Sequence, residues 1–126
     1  MSVMIAPAYG MGGTGGGGGS SGGGLAVSAT PAVAYGSRAS ASTVTVTSEN
    51  VTLFITGGSG TYTVAWEVVS GATFTIISPA ATTTKFSASV GSSAIKIGYF
   101  RALVSDGMTS IYSATVEVDL ENVGTL

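Results

Sequence analysis

Residues 57–66 read Gly-Gly-Ser-Gly-Thr-Tyr-Thr-Val-Ala-Trp, a glycine-rich turn that releases a strand. Glycine reverses the chain here because it takes positive φ without a Cβ clash. Beyond the turn, Tyr62, Val64, Trp66 and Val68 alternate with smaller or polar residues, the period of a half-buried strand. Trp66, the one tryptophan of the chain, is expected at the centre of a small β core.

The same alternation extends in both directions. Residues 43–47 are Thr-Val-Thr-Val-Thr, and residues 51–56 point Val51, Leu53 and Ile55 to one face. Residues 73–77 form a short strand closed by Pro79, which has no N–H for a ladder. Residues 82–90 turn Phe86, Ala88 and Val90 inward, and residues 94–105 do the same with Phe100, Ala102 and Val104. Asp106-Gly107 is a hairpin signal. Residues 108–120 close the pattern, with Tyr112, Ala114, Val116 and Val118 inward and Glu117 and Asp119 outward. About seven short strands, separated by Gly, Ser, Pro and Asp turns and free of helical period, imply an all-β, immunoglobulin-like antiparallel β-sandwich. A closed barrel fits the same pattern and stays open as the alternative. The expected core is Leu53, Val64, Trp66, Phe86, Phe100, Ala102 and Val116.

Four segments differ in character. Residues 1–24 are an N-terminal arm, mildly apolar at Val3, Ile5 and Tyr9 and then glycine-rich. Glycine at this density carries the largest backbone entropy cost of ordering, so the arm is expected to be a tether with an apolar tip. Residues 25–42 are irregular, with one or two edge strands near 26–29 and 32–35. Residues 43–120 form the sandwich, and residues 121–126 a tail.

The chain of 126 residues contains no cysteine and no histidine, which excludes disulfides, thiolate metal sites and imidazole catalysis. A formal charge of −2 gives no electrostatic footprint for nucleic acid or an anionic membrane. Only 8% of residues are charged, against about 25% in an ordinary soluble domain. Ser, Thr and Gly must cover much of the surface, and neighbouring subunits are expected to bury a large share of the rest. No apolar run approaches the roughly 20 residues that cross a bilayer. The first ten residues lack the basic start and apolar core of a secretory signal, implying synthesis in a cytoplasm.

Residues 10–15 formally fit G-x-G-x-x-G, but no strand precedes them and no helix follows, so no dinucleotide or other cofactor is expected. Asn50-Val-Thr52 fits a glycosylation acceptor and is read as an ordinary turn entering a strand. Glu67, Glu117, Asp119 and Glu121 lack the spacing of a calcium loop and are read as solvated positions. Arg101, outward in a long strand, is expected to pair with Glu117 or Asp119 across the hairpin, or to reach a neighbouring subunit. Outward aromatics, Tyr9 and Tyr35 with Phe54, Phe74 and Tyr99, are read as interface anchors before sugar platforms.

Three ordered segments carry a resemblance. Residues 57–71, GGSGTYTVAWEVVSG, resemble the GGSGxYxYxWxxVSG segment of immunoglobulin-like (PKD-like) domains in tailed-bacteriophage virion proteins. Residues 75–88 are similar to that family's I-x-S-P-x-x-x-x-T-x-F-S-A segment, and residues 99–107 to its FRCxVxDxxG strand and hairpin. Ala102 stands where the family often has cysteine, so the core here relies on packing alone. The resemblance implies a non-enzymatic virion protein of the tail, or a capsid decoration protein, assembling with other virion proteins and copies of itself. The expected contacts are Val3, Ile5, Tyr9, Tyr35, Phe54, Tyr99 and Arg101. A second expectation is a host-glycan module, with loops 57–60, 91–93 and 106–108 forming its site.

Overall fold

A computed structural model describes residues 24–71 and 73–125. Among them the chain forms strands β1 (Ala26–Thr30), β2 (Val33–Arg38), β3 (Val44–Thr47), β4 (Val51–Thr56), β5 (Thr63–Gly71) and β6 (Thr75–Ile76). Strands β7 (Thr83–Thr84), β8 (Phe86–Val90), β9 (Ala94–Ser105), β10 (Ser110–Tyr112) and β11 (Val116–Asn122) follow. The described chain is all-β, as its alternation and frequent turns require.

The long strand β9 organises the largest sheet. One edge pairs antiparallel with β5, setting Ala102 opposite Trp66. The other edge pairs first with β11 and then with β10, both antiparallel. Strand β2 adds in parallel to β11. Two smaller antiparallel sheets run β1–β4–β7 and β3–β8–β6. Residues 25–42, read as irregular with one or two edge strands near 26–29 and 32–35, supply β1 and β2, which pair into the fold.

The sheets close over one apolar core, a sandwich-like arrangement. Val46, Val51, Leu53, Phe86, Ala88 and Val90 come from the smaller sheets; Ala34, Trp66, Phe100, Ala102, Val104, Val116, Val118 and Leu120 come from the larger. Phe86 bridges the two groups. Its ring stacks on Phe100 with centroids 4.3 Å apart and meets Trp66 edge-on at 5.7 Å. Phe74, expected outward, is half-buried edge-on to Phe100 at 5.3 Å.

Two serines repair the ladders where one strand carries an extra residue. Between β3 and β4, Ser48 donates its N–H to Phe86 O (2.8 Å), and its Oγ accepts from Phe86 N (3.0 Å). Between β10 and β11, Ser113 treats Ala102 the same way, at 2.8 and 2.9 Å. Each hydroxyl then donates to the carbonyl of the next residue. The pairing sums differ by one across each serine, which marks a one-residue bulge.

The second bulge corrects a sequence expectation. Tyr112 and Ala114 were expected inward with Val116, but an extra residue before Val116 inverts their facing. Ser113 takes the inward place, and Tyr112 is 48% exposed. Val68, the last of the alternating apolar residues after the glycine turn, is 49% exposed. It opposes Phe100 in the same register as Trp66 and Ala102, near the end of β5, whose one ladder among the described residues is with β9.

Asn122 ties the end of the fold together. It is fully buried; its Oδ1 accepts from Ser40 and Gly124 N–H groups, and its Nδ2 donates to Ser42 and Val90 carbonyls. Gly36 is required where β2 passes β3, because a Cβ there would collide with the Thr47 carbonyl.

Ser48→Ala and Ser113→Ala each strand one buried backbone N–H, and each is expected to lower the unfolding free energy by about 1–3 kcal/mol. Chemical denaturation checks this against exposed Ser89→Ala, expected within about 0.5 kcal/mol of the parent. Equal losses in all three variants would contradict the bulge reading.

Candidate functional site

Two outer faces are available for contact, and their chemistry differs. On the smaller sheets the outward positions are mostly hydroxyls: Thr45 opposes Ser89, Thr30 opposes Thr52, and Thr52 lies 3.1 Å from Thr83 between hydroxyl oxygens. Phe54 interrupts this surface, 58% exposed opposite Ser28.

The outer face of the β5–β9–β11–β2 sheet is apolar and acidic. Register places its residues in three rows across β9, β11 and β2: Tyr99–Glu117–Val33, Ile97–Asp119–Tyr35 and Ile95–Glu121–Ser37. Tyr35 is 61% exposed, and Ile95, Ile97 and Tyr99 are exposed beside it. Contiguous exposed apolar surface of this kind marks interaction sites in soluble proteins.

Arg101 stands at the head of these rows. Its Nε donates to Glu67 Oε2 at 2.7 Å, and its guanidinium lies 3.6 Å from the centroid of the Tyr112 ring. The expected partners Glu117 and Asp119 do not reach it. They oppose Tyr99 and Ile97, whereas Glu67 on β5 is directly opposite Arg101. The pair is half-exposed, so its main effect is to orient the guanidinium flat against Tyr112.

Glu117 and Asp119 crowd each other. A hydrogen bond with Asp119 is the main cause that raises the Glu117 carboxyl above its ordinary pKa, with desolvation and the neighbouring charge adding to it. Asp119 Oδ1 is buried and has no hydrogen-bond partner among the described residues. No group of three or more His, Cys, Asp or Glu among the described residues is arranged to hold a metal ion.

Of the sequence-predicted contact residues, Tyr35, Tyr99 and Arg101 share this face. Phe54 lies on the opposite layer. Val3, Ile5 and Tyr9 lie outside the described residues. Ile95, Ile97, Tyr112 and the three β11 carboxylates belong to the face but were not singled out for contact. For Ile95 and Ile97 the signal was present in residues 94–104, where apolar residues occupy both parities, the pattern of a strand covered on both sides.

The three loops proposed for a glycan do not converge. Loops 57–60 and 106–108 meet: Ser59 Oγ donates to Asp106 O, and Asp106 Oδ2 accepts from Ser59 N. Loop 91–93 lies at the other end of β9, next to Gly124. No protein-family model matches the chain, and the search of curated proteins returned no match.

Asp106 is the organising residue of the loop pair. Hydrogen bonds from Thr109 (2.7 Å), Met108 (2.9 Å) and Ser59 (3.0 Å) N–H groups hold its carboxyl below the usual range. A depressed folded pKa means the tie is present above the unfolded value and is lost as pH falls through the folded one. Asp106→Ala is expected to speed amide exchange several-fold at Ser59, Met108 and Thr109 while leaving Val104 unchanged. Acidification of the parent through the depressed Asp106 pKa should lower the protection of the same amides, measured against their intrinsic rates at each pH, while Val104 keeps its protection; unchanged loop protection in both cases would contradict the tie.

Proposed function

We propose that this chain is a structural docking module of a tailed-bacteriophage particle, an immunoglobulin-like sandwich that joins other virion proteins. The strand pairing supports the immunoglobulin-like part of this reading. In this reading strands β1–β4–β7, taken together with β3–β8–β6 across the Ser48 bulge, stand for one sheet of that fold, and β5–β9–β10/β11 for the other. The resemblance of residues 57–71, 75–88 and 99–107 supports the phage part.

The observation that carries docking is the apolar, acidic outer face of β5–β9–β11–β2. It concentrates exposed aromatic and aliphatic side chains on a rigid sheet, the composition favoured in the centres of protein interfaces. The tail, its tip or its fibres is the preferred place for such a module, with capsid decoration the next. The arm, residues 1–24, is the second contact, and any ordering of its glycines on assembly must be offset by buried surface.

Tagging the chain in its encoding genome and fractionating released particles tests this reading. The full chain should co-sediment with particles, and a chain lacking residues 1–24 should fold yet remain in the soluble fraction. A full chain found only in the soluble fraction would contradict the virion assignment, and normal incorporation of the truncated chain would remove the arm from it.

A further inference from the structure

The outer sheet face carries more negative charge than its own cations can neutralise. Glu117, Asp119 and Glu121 alternate along β11, so their side chains emerge on one face about 7 Å apart. Each stands between apolar or hydroxyl neighbours on β9 and β2. The ion pair among the described residues is Arg101–Glu67, which leaves the β11 carboxylates without a cationic partner. Covering the face would strip water from these groups, and an uncompensated carboxylate at a dry interface is costly.

Resting on the docking reading, we propose that the occupant of this face is a different protein, whose surface presents lysine or arginine side chains beside apolar residues. The β11 carboxylates receive those cations while Ile95, Ile97, Tyr99 and Tyr35 take the apolar part.

A second copy of this chain does not fit the same place. The chain has four basic residues, Arg38, Lys85, Lys96 and Arg101. Arg101 is held by Glu67, and Arg38 donates from Nη1 to Thr45 O. Lys85 lies between β7 and β8 in the other layer, and Lys96 opposes Leu120 on the inward parity of β9. Two copies meeting face to face would set one carboxylate row against the other, and like charges at an interface select against that pairing.

The test uses the full ¹⁵N-labelled chain and an amphipathic helical peptide with leucines on one face and lysines along its flank. The same peptide with glutamate for lysine is the control. The lysine peptide should shift the amides of Tyr35, Ile95, Ile97, Tyr99 and residues 117–121. Its affinity should fall about tenfold or more for Glu117→Gln/Asp119→Asn/Glu121→Gln, and should weaken with added salt. Ile97→Ser/Tyr99→Ser should also lose binding.

Unchanged affinity in the acid-neutralised variant, or equal binding of the glutamate peptide, would overturn the cationic partner. If Ile97→Ser/Tyr99→Ser still lost binding, the docking face itself would survive that result. Binding unaffected by either variant would remove the face from the docking reading altogether. Concentration-dependent shifts of the same amides without peptide would overturn the proposal in favour of a second copy.

Discussion

The contact of Phe86 with Phe100 and Trp66 is the constraint on which the rest of this structure depends. Phe86 belongs to the smaller sheets and Phe100 and Trp66 to the larger, so this cluster fixes how the layers face each other. The backbone of Phe86 is simultaneously held by the Ser48 hydroxyl, which locks the bulge between β3 and β4. Packing and backbone satisfaction therefore converge on one residue. Without cysteine the chain has no disulfide to join its layers, and stacked aromatics fill that role with Ala102 beside Trp66.

The two serine bulges show how hydrogen bonding sets side-chain direction. Each inserts one residue in a strand, and each uses a hydroxyl to accept the N–H the insertion would leave stranded. Ser113 has the larger functional consequence. By taking the inward place it releases Tyr112 to the outer face, where the ring packs against Arg101.

Much of the fold was legible because alternation is a local signal. Leu53, Trp66, Phe86, Phe100, Ala102 and Val116 fall on the inward parity of their strands, and all six are buried; Val64 is half-buried against them. Tyr112 and Ala114 were misread for one physical reason: a period-two pattern holds only while pairing register is unbroken. A serine that repairs a bulge looks like any turn serine in the sequence. The Arg101–Glu67 pair spans 34 positions and joins strands that are not a hairpin, so near-neighbour reasoning chose β11 instead. The candidate face was half legible: Tyr35 and Tyr99 stood out as aromatics, while the acidic row gained meaning only once register set it between Ile97 and Tyr35.

The low charge content also takes a spatial form. Hydroxyls dominate the outer face of the smaller sheets, and apolar and acidic groups dominate the other, so the faces are not equivalent to a partner. Side-chain footprinting of the free chain and of the chain in its assembly tests this asymmetry most directly. The account predicts protection of Tyr35, Ile95, Ile97 and Tyr99 on assembly, with Phe54 as reactive as in the free chain. Protection of Phe54 with Tyr35 and Tyr99 left reactive would contradict it.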